Sequence, residues 1–441
     1  MLWFVALVLA SCLPGGTIAV LAQGDAQQPS GPTIKTDVRQ VLVPVIVTDK
    51  YGKYIADLSA GDFSVYEDDV QQKIVAFSRA PVSVTNAGGE AAATRGQTTN
   101  GHYAGFATSP VNTYLICIDT LHSRFENFAR VRKSLREFFS HEEPGDSQYA
   151  LVAIGRKLHV LVDSTRDPAT ILNALAGKEL LKTILDSEAA NLAHATQEFA
   201  ELVGHWCGGC HCNTQEIDMA DLGCPGYKGQ VRSALLSFSE RTAILNDNFV
   251  AELTRLVSAM ASMPTKRTAL FISDGFNRFA GEEFTAILRA NDVNDPSMRF
   301  NPRDLQPEID KLLQVAVRNN VRFYTLDSRG LYTASAVPGS GEDVSVHGVT
   351  PSQVRHAELA TAFHNTDVLA ELAKQTGGAF FENSNDLLKA MRRAFADGRE
   401  EYVLAYIPSN IAYDGKFRRI TVKVKDPKAN VAAKVGYWAS P

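Results

Sequence analysis

Residues 112–119, Asn-Thr-Tyr-Leu-Ile-Cys-Ile-Asp, form a run of apolar, β-prone positions that stops at a carboxylate. A run of this kind suits a strand buried on both faces of a parallel sheet. Beyond it Phe128, Val131, Leu135, Phe138 and Phe139 recur with charged residues between them, which predicts an amphipathic helix. Residues 268–275, Thr-Ala-Leu-Phe-Ile-Ser-Asp-Gly, repeat the shape of the first run. Asp119, Ser123 and Asp274 are therefore expected in loops at the carboxyl ends of strands, where open α/β sheets bind their ligands.

Strand and helix patterns alternate through the rest of the central region. Strands are predicted at 149–154, at 157–162 as its antiparallel neighbour, at 321–327 and at 379–381. Helices are predicted around Pro168, Phe249 to Val257, Ile309 to Ala316, and residues 366–376 and 386–395, with Gly377-Gly378 and Gly398 as stops. This alternation predicts an α/β fold, doubly wound around a mostly parallel sheet. A Cys-bearing helical insert at about 178–240 and a loose insert at 333–365 interrupt it.

Both ends of the chain are β in character. Val41, Val43, Val45 and Val47 begin a segment that continues through 63–66 and 74–77, and three more strands are predicted within 402–438. Neither end holds enough apolar residues for a core of its own, so the two are expected to pack together as one β-sandwich beside the central domain. The expected division is an N-terminal β segment at 33–80, a Gly-rich linker at 81–110, the central domain at 111–398 and a C-terminal β segment at 399–441.

The 441 residues are 45% hydrophobic, ample for one large domain and a smaller one. With 44 basic and 49 acidic residues the net charge is −5, which points away from nucleic acid and anionic membranes. Residues 1–22 carry no charged side chain and read as an export signal cleaved after Ala22. A second reading makes Cys12 the acylated residue of a lipoprotein. Pro14-Gly15-Gly16 breaks the apolar run, and no later stretch is long enough to span a bilayer. The mature chain is expected outside the cytoplasm, in an oxidising compartment, without a transmembrane helix.

The two strand ends resemble the metal-ion-dependent adhesion site of von Willebrand factor A-type domains, which is built on Asp-x-Ser-x-Ser, a distant Thr and a distant Asp. Asp119 and Ser123 match the first motif, with Leu121 where its first serine belongs, and Asp274 matches the distant aspartate. Thr242 is the candidate for the threonine. Val47-Thr-Asp-Lys-Tyr-Gly52, Leu58-Ser-Ala-Gly-Asp-Phe63, Ser273-Asp-Gly-Phe276, Tyr402-Val-Leu-Ala-Tyr406 and Asp414-Gly-Lys-Phe-Arg418 together resemble the VWFA-related family of the acidobacterial type. The resemblance implies an exported protein-binding or adhesion-type module, in which a divalent cation, Mg²⁺ for preference, coordinates a carboxylate of an unknown protein or cell-surface ligand. The alternative for Asp119 and Asp274 is that they cap helices at the strand ends, where a carboxylate complements the amide groups and the helix dipole.

Cys207, Cys210, Cys212 and Cys224 supply a second candidate. Four thiols, with His205 and His211 beside them, suit tetrahedral zinc or thiol chemistry; in an oxidising compartment they equally suit disulfides, whose pairing spacing does not choose. Cys117 lies within the buried run and reads as a packed free thiol. A hydrolase elbow, a zinc-protease helix and a phosphate-binding loop are all missing from the sequence, so no enzyme is expected. A metal-free structural envelope protein is the third reading.

Overall fold

The computed structural model describes residues 40–79, 112–185, 189–210, 212, 224–263, 266–331 and 365–439. The expected export segment, all of the linker and nearly all of the loose insert lie outside them. Strands β1 (Val41–Thr48), β2 (Phe63–Glu67), β3 (Val70–Gln72) and β4 (Ile74–Arg79) come first. The central region follows as β5 (Asn112–Asp119), α1 (Phe125–Ser140), β6 (Gln148–Ile154), β7 (Leu158–Thr165), α2 (Pro168–Ala176), α3 (Lys178–Leu185), α4 (Ala189–Cys210) and α5 (Cys224–Met260). It continues with β8 (Lys266–Ser273), β9 (Phe279–Ala280), α6 (Glu282–Ala290), β10 (Arg303–Asp304), α7 (Gln306–Arg318) and β11 (Val321–Asp327), then α8 (Asp367–Thr376), β12 (Phe380–Phe381) and α9 (Leu387–Arg399). The chain ends with β13 (Tyr402–Tyr406), β14 (Phe417–Val424), β15 (Asn430–Ala433) and β16 (Gly436–Trp438).

The fold class follows the predicted alternation. Six strands form the central sheet in the order β12-β11-β8-β5-β6-β7, all parallel except β7, which runs antiparallel beside β6. All eight residues of β5 are buried because helices cover both faces. On one face α5, α7 and α8 bring Phe249, Leu253, Leu312 and Leu372 against Leu115, Cys117 and Phe271. On the other, α1, α2, α3 and α9 bring Leu135, Ile171, Ile184 and Met391 against Tyr114, Ile116 and Ile272.

The chain moves outward from β5 through β6 to β7, then returns to β8 and moves the other way through β11 to β12. The reversal falls between β5 and β8, and a doubly wound sheet opens its ligand crevice at that point, outside the carboxyl ends of the two strands. Those are the ends that carry Asp119 and Asp274.

The terminal strands complete each other. One sheet has the order β15-β1-β13-β4 and the other β16-β14-β2-β3, so each mixes strands from both ends of the chain. Val43, Val45, Val65, Tyr402, Leu404, Tyr406 and Ile420 fill the space between them. This is the single sandwich that the shortage of core at each end implied.

The insert differs from its expected outline. A new helix was expected beyond residue 240, but α5 runs unbroken from Cys224 to Met260. Its C-terminal half packs on the central sheet through Leu245, Phe249 and Leu253. Its N-terminal half builds a separate small core with α4 and α6, in which Val231 and Leu235 meet Phe199, Val203, Trp206, Phe284 and Ile287. One helix therefore serves both the insert and the domain.

Candidate functional site

Asp119 ends β5 and is fully buried, which would be prohibitive for a charged carboxylate without partners. Its Oδ1 accepts the backbone N–H groups of Leu121 (2.8 Å) and His122 (3.0 Å). Its Oδ2 accepts the hydroxyl of Ser273 (2.6 Å) and lies 2.8 Å from Nδ1 of His122. The other ring nitrogen of His122 meets Oδ1 of Asn246 on α5 at 2.9 Å. Its ring stacks on Phe276 and meets Phe249 edge-on. Burial disfavours the charged imidazole, but the charge and hydrogen bond of Asp119 outweigh it, and the pKa stands above the ordinary histidine value.

Asp274 follows β8 across the crevice. Its backbone N–H donates to Oγ of Ser123 at 3.1 Å, which ties the β5 loop to the β8 loop. Its Oδ2 accepts the backbone N–H of Arg124 (3.0 Å) and the side-chain amide of Asn127 (2.7 Å), and its Oδ1 accepts the hydroxyl of Ser328. Burial pushes its pKa up, with those hydrogen bonds pulling the other way. Gly275 has φ +83, and a Cβ there would stand 2.2 Å from the carbonyl oxygen of Asn365, so only glycine lets the two segments approach.

Asp119, Ser123 and Asp274 are thus brought together at one crevice. Thr242, the candidate threonine, lies within α5, one turn before Asn246; its buried hydroxyl has no hydrogen-bond partner among the described residues. As arranged, all four oxygens of the two carboxylates are taken by protein donors, and Ser123 Oγ accepts from Asp274. A cation at this rim would have to displace several of those bonds, and Leu121 supplies no oxygen in exchange. The donor set as it stands does not fit a bound divalent ion.

His122, Ser273, Asn246, Asn127 and Ser328 are participants that sequence reasoning missed. The signal for Ser273 was present, since it precedes Asp274 at the end of the second apolar run. Nothing in the spacing links Asn246 to His122 or Ser328 to Asp274, because they arrive on elements far away in the chain. Glu283 lies in the first turn of α6, and burial pushes its pKa up to about 7. Asp327, at the end of β11, holds its own loop: it accepts the backbone N–H of Arg329 and pairs with that residue's guanidinium.

Around this buried centre the loops expose apolar side chains. Phe125 at the start of α1 is 47% exposed, Phe279 in β9 is 41% exposed and Leu331 beyond β11 is 57% exposed. Each follows one of three adjacent strands, β5, β8 and β11. Arg130 on α1 donates to the carbonyls of Ser328 and Arg329 and so fixes the β11 loop against the β5 loop.

Cys207 and Cys212 are joined in a disulfide. A four-cysteine zinc site needs both sulfurs as thiolates, so the bond removes that reading from the oxidised chain. The side chains of Cys210 and Cys224 lie outside the described residues. Cys117 is a buried free thiol, its pKa raised by burial. Among the described residues no helix is long and apolar enough to cross a membrane.

No family model matches the chain, and no curated protein matches its sequence. Several solved structures are similar at low identity. An aerotolerance-related membrane protein from Bacteroides fragilis is 10% identical, with 64% of this chain and 98% of that one covered and a TM-score of 0.29. BatB from Bacteroides thetaiotaomicron is 11% identical, with 65% and 98% covered and a TM-score of 0.28. A von Willebrand factor type A protein from Catenulispora acidiphila is 10% identical, with 74% and 65% covered and a TM-score of 0.27.

Proposed function

We propose that this protein is an exported, non-enzymatic binding module that docks another protein on the rim at the carboxyl ends of β5, β8 and β11. One observation carries the reading. The buried carboxylates of the crevice are engaged internally, whereas the three loops around them hold Phe125, Phe279 and Leu331 out into solvent. Exposed aromatic and aliphatic side chains on loops fixed by a rigid sheet are characteristic of a recognition surface.

In this reading the Asp119–His122–Ser273 and Asp274–Asn127–Ser328 networks act as positioning groups. They set the loop geometry, and no step passes through a metal. Export suits the Cys207–Cys212 bond, since disulfides persist in oxidising compartments.

The test is site-specific photocrosslinking in the source cells, with a benzophenone amino acid at position 125, 279 or 331 and at position 160 on β7 as a control away from the rim. The expected result is a discrete protein adduct from the rim positions and none from 160. Adducts that are absent from all three rim positions, or equally abundant at 160, would overturn the reading.

A further inference from the structure

Phe279 reaches the rim on a short ribbon that is anchored beneath it. β9 and β10 pair antiparallel, with Ala280 opposite Arg303 and Phe279 opposite Asp304. Ala280, Phe276 and Leu305 are buried in a core of the central sheet, so the ribbon is tied down at its base. Phe279 is exposed where Ala280 is buried, and the Arg278 guanidinium lies 4.9 Å from the centre of its ring. A side chain held out in this way loses little freedom when a partner covers it.

The charged groups around that ring are unequally matched. Arg278 is committed to Asp304, whose two carboxylate oxygens accept from it at 2.9 and 3.0 Å. Arg303 is shared between Glu308 (2.7 Å) and Asp247 (3.5 Å). Asp310 on α7 and Glu371 on α8 have no ion pair among the described residues; Nε2 of Gln306 donates to both, at 2.8 and 3.2 Å. Asp304 first, and Glu371 and Asp310 beyond it, hold the pKa of Arg278 above the ordinary arginine value. Even with the exposed Lys311 counted, the carboxylates of Asp247, Asp304, Glu308, Asp310 and Glu371 outnumber the cations on this side of the rim. Two like charges drawn together on one neutral amide repel each other, and a cation brought by a partner would offset that repulsion.

We propose that the rim beside Phe279 takes a basic segment of the partner protein, in which a Lys or Arg lays its aliphatic stem on Phe279 and brings its charge to Asp310 and Glu371. This rests on the rim being the binding surface. Lys and Arg combine an apolar stem with a charged tip and so match both halves of the patch. A purely apolar anchor would cover the carboxylates and leave them unpaired, which selects against it. Charges at an exposed rim govern the rate of association and the choice of partner, and their effect falls as salt is added.

Fluorescence anisotropy on the full chain tests this with two labelled peptides of equal length, one alternating Leu with Lys and the other alternating Leu with Glu. The Leu-Lys peptide should bind about tenfold more tightly, and added salt should narrow the gap. Asp310→Asn/Glu371→Gln and Phe279→Ser should each weaken its binding by about fivefold. Asp163→Asn/Glu179→Gln, which removes the same charge on the β7 side, should leave binding unchanged. Equal binding of the two peptides, unaltered binding in either rim variant, or an equal loss in the Asp163→Asn/Glu179→Gln protein would overturn the inference. The crosslinking arm places the benzophenone at 279 in the source cells, with and without Asp310→Asn/Glu371→Gln. A diminished adduct in the variant supports a basic partner, and an undiminished one overturns it while leaving the rim as the binding surface. Adducts absent from every rim position of the unaltered chain count against that surface, while the peptide titration still decides the charge preference.

Discussion

Lys434, between β15 and β16, is a cation packed into the protein with one uncharged partner among the described residues, the side-chain oxygen of Asn320 at 2.9 Å. Burial lowers its pKa from 10.5 to about 8. Between those values the unfolded chain binds more protons than the folded one, so this residue makes stability rise with pH across that window. Below about pH 8 the folded state carries the full cost of a buried ammonium. Lys434→Met should therefore raise stability at pH 7 by roughly 2 kcal/mol, after allowance for the lost hydrogen bond. Urea titrations at several pH values should show the difference between the two proteins shrinking from pH 8 towards pH 10; a difference independent of pH would refute the account. Nothing in the residues around Lys434 signals its burial, whereas Asp119 and Asp274 were legible because each ends an apolar run. What the sequence hid was their neighbours. Leu121 stood out as a missing ligand, yet the adjacent His122, which contributes a donor to Asp119, only acquires meaning once α5 brings Asn246 and Phe249 to its ring.

At the scale of elements, apolar runs located the strands of the central sheet, since all of β5 and the last six residues of β8 are buried and are mostly apolar. Apolar patterning failed at α5. A helix that packs on two different cores has an apolar face that changes direction along its length, so the Ser239–Glu240 region reads as a boundary although the backbone continues. The joints between elements depend on glycines in the same concealed way. Gly275 links β8 to the rim, and the carbonyl of Asn365, just ahead of α8, occupies the space a side chain would need. Gly275→Ala should lower stability by at least about 2 kcal/mol, the left-handed backbone and the close contact acting together. Thermal unfolding measures the loss, and a change within about 0.5 kcal/mol would mean that the two segments are free to separate.

For the molecule as a whole, the sandwich and the α/β domain meet over buried charge. Glu401, just before β13, pairs with Lys266 at the start of β8 (3.2 Å) and with Arg322 in β11 (3.0 Å). Close by, Asp397 accepts from Arg393 (2.6 Å) and from the hydroxyl of Tyr324 (3.2 Å), and Arg393 donates to the carbonyl of Gly52 in the turn after β1 (2.6 Å). Sequence patterning foresaw the sandwich from the shortage of core at each end. It could not foresee this junction, because a charged residue at the edge of a strand reads as solvent-facing unless another layer covers it. A buried pair contributes little net stability over an apolar replacement, but removing one partner leaves the others stranded. Glu401→Gln keeps the shape and strands two cations, so it should cost about 3 kcal/mol. The loss should fall on the junction, splitting one denaturant transition into two as the sandwich parts from a sheet that remains folded. A single transition with an unchanged midpoint would show that apolar packing alone joins the two layers.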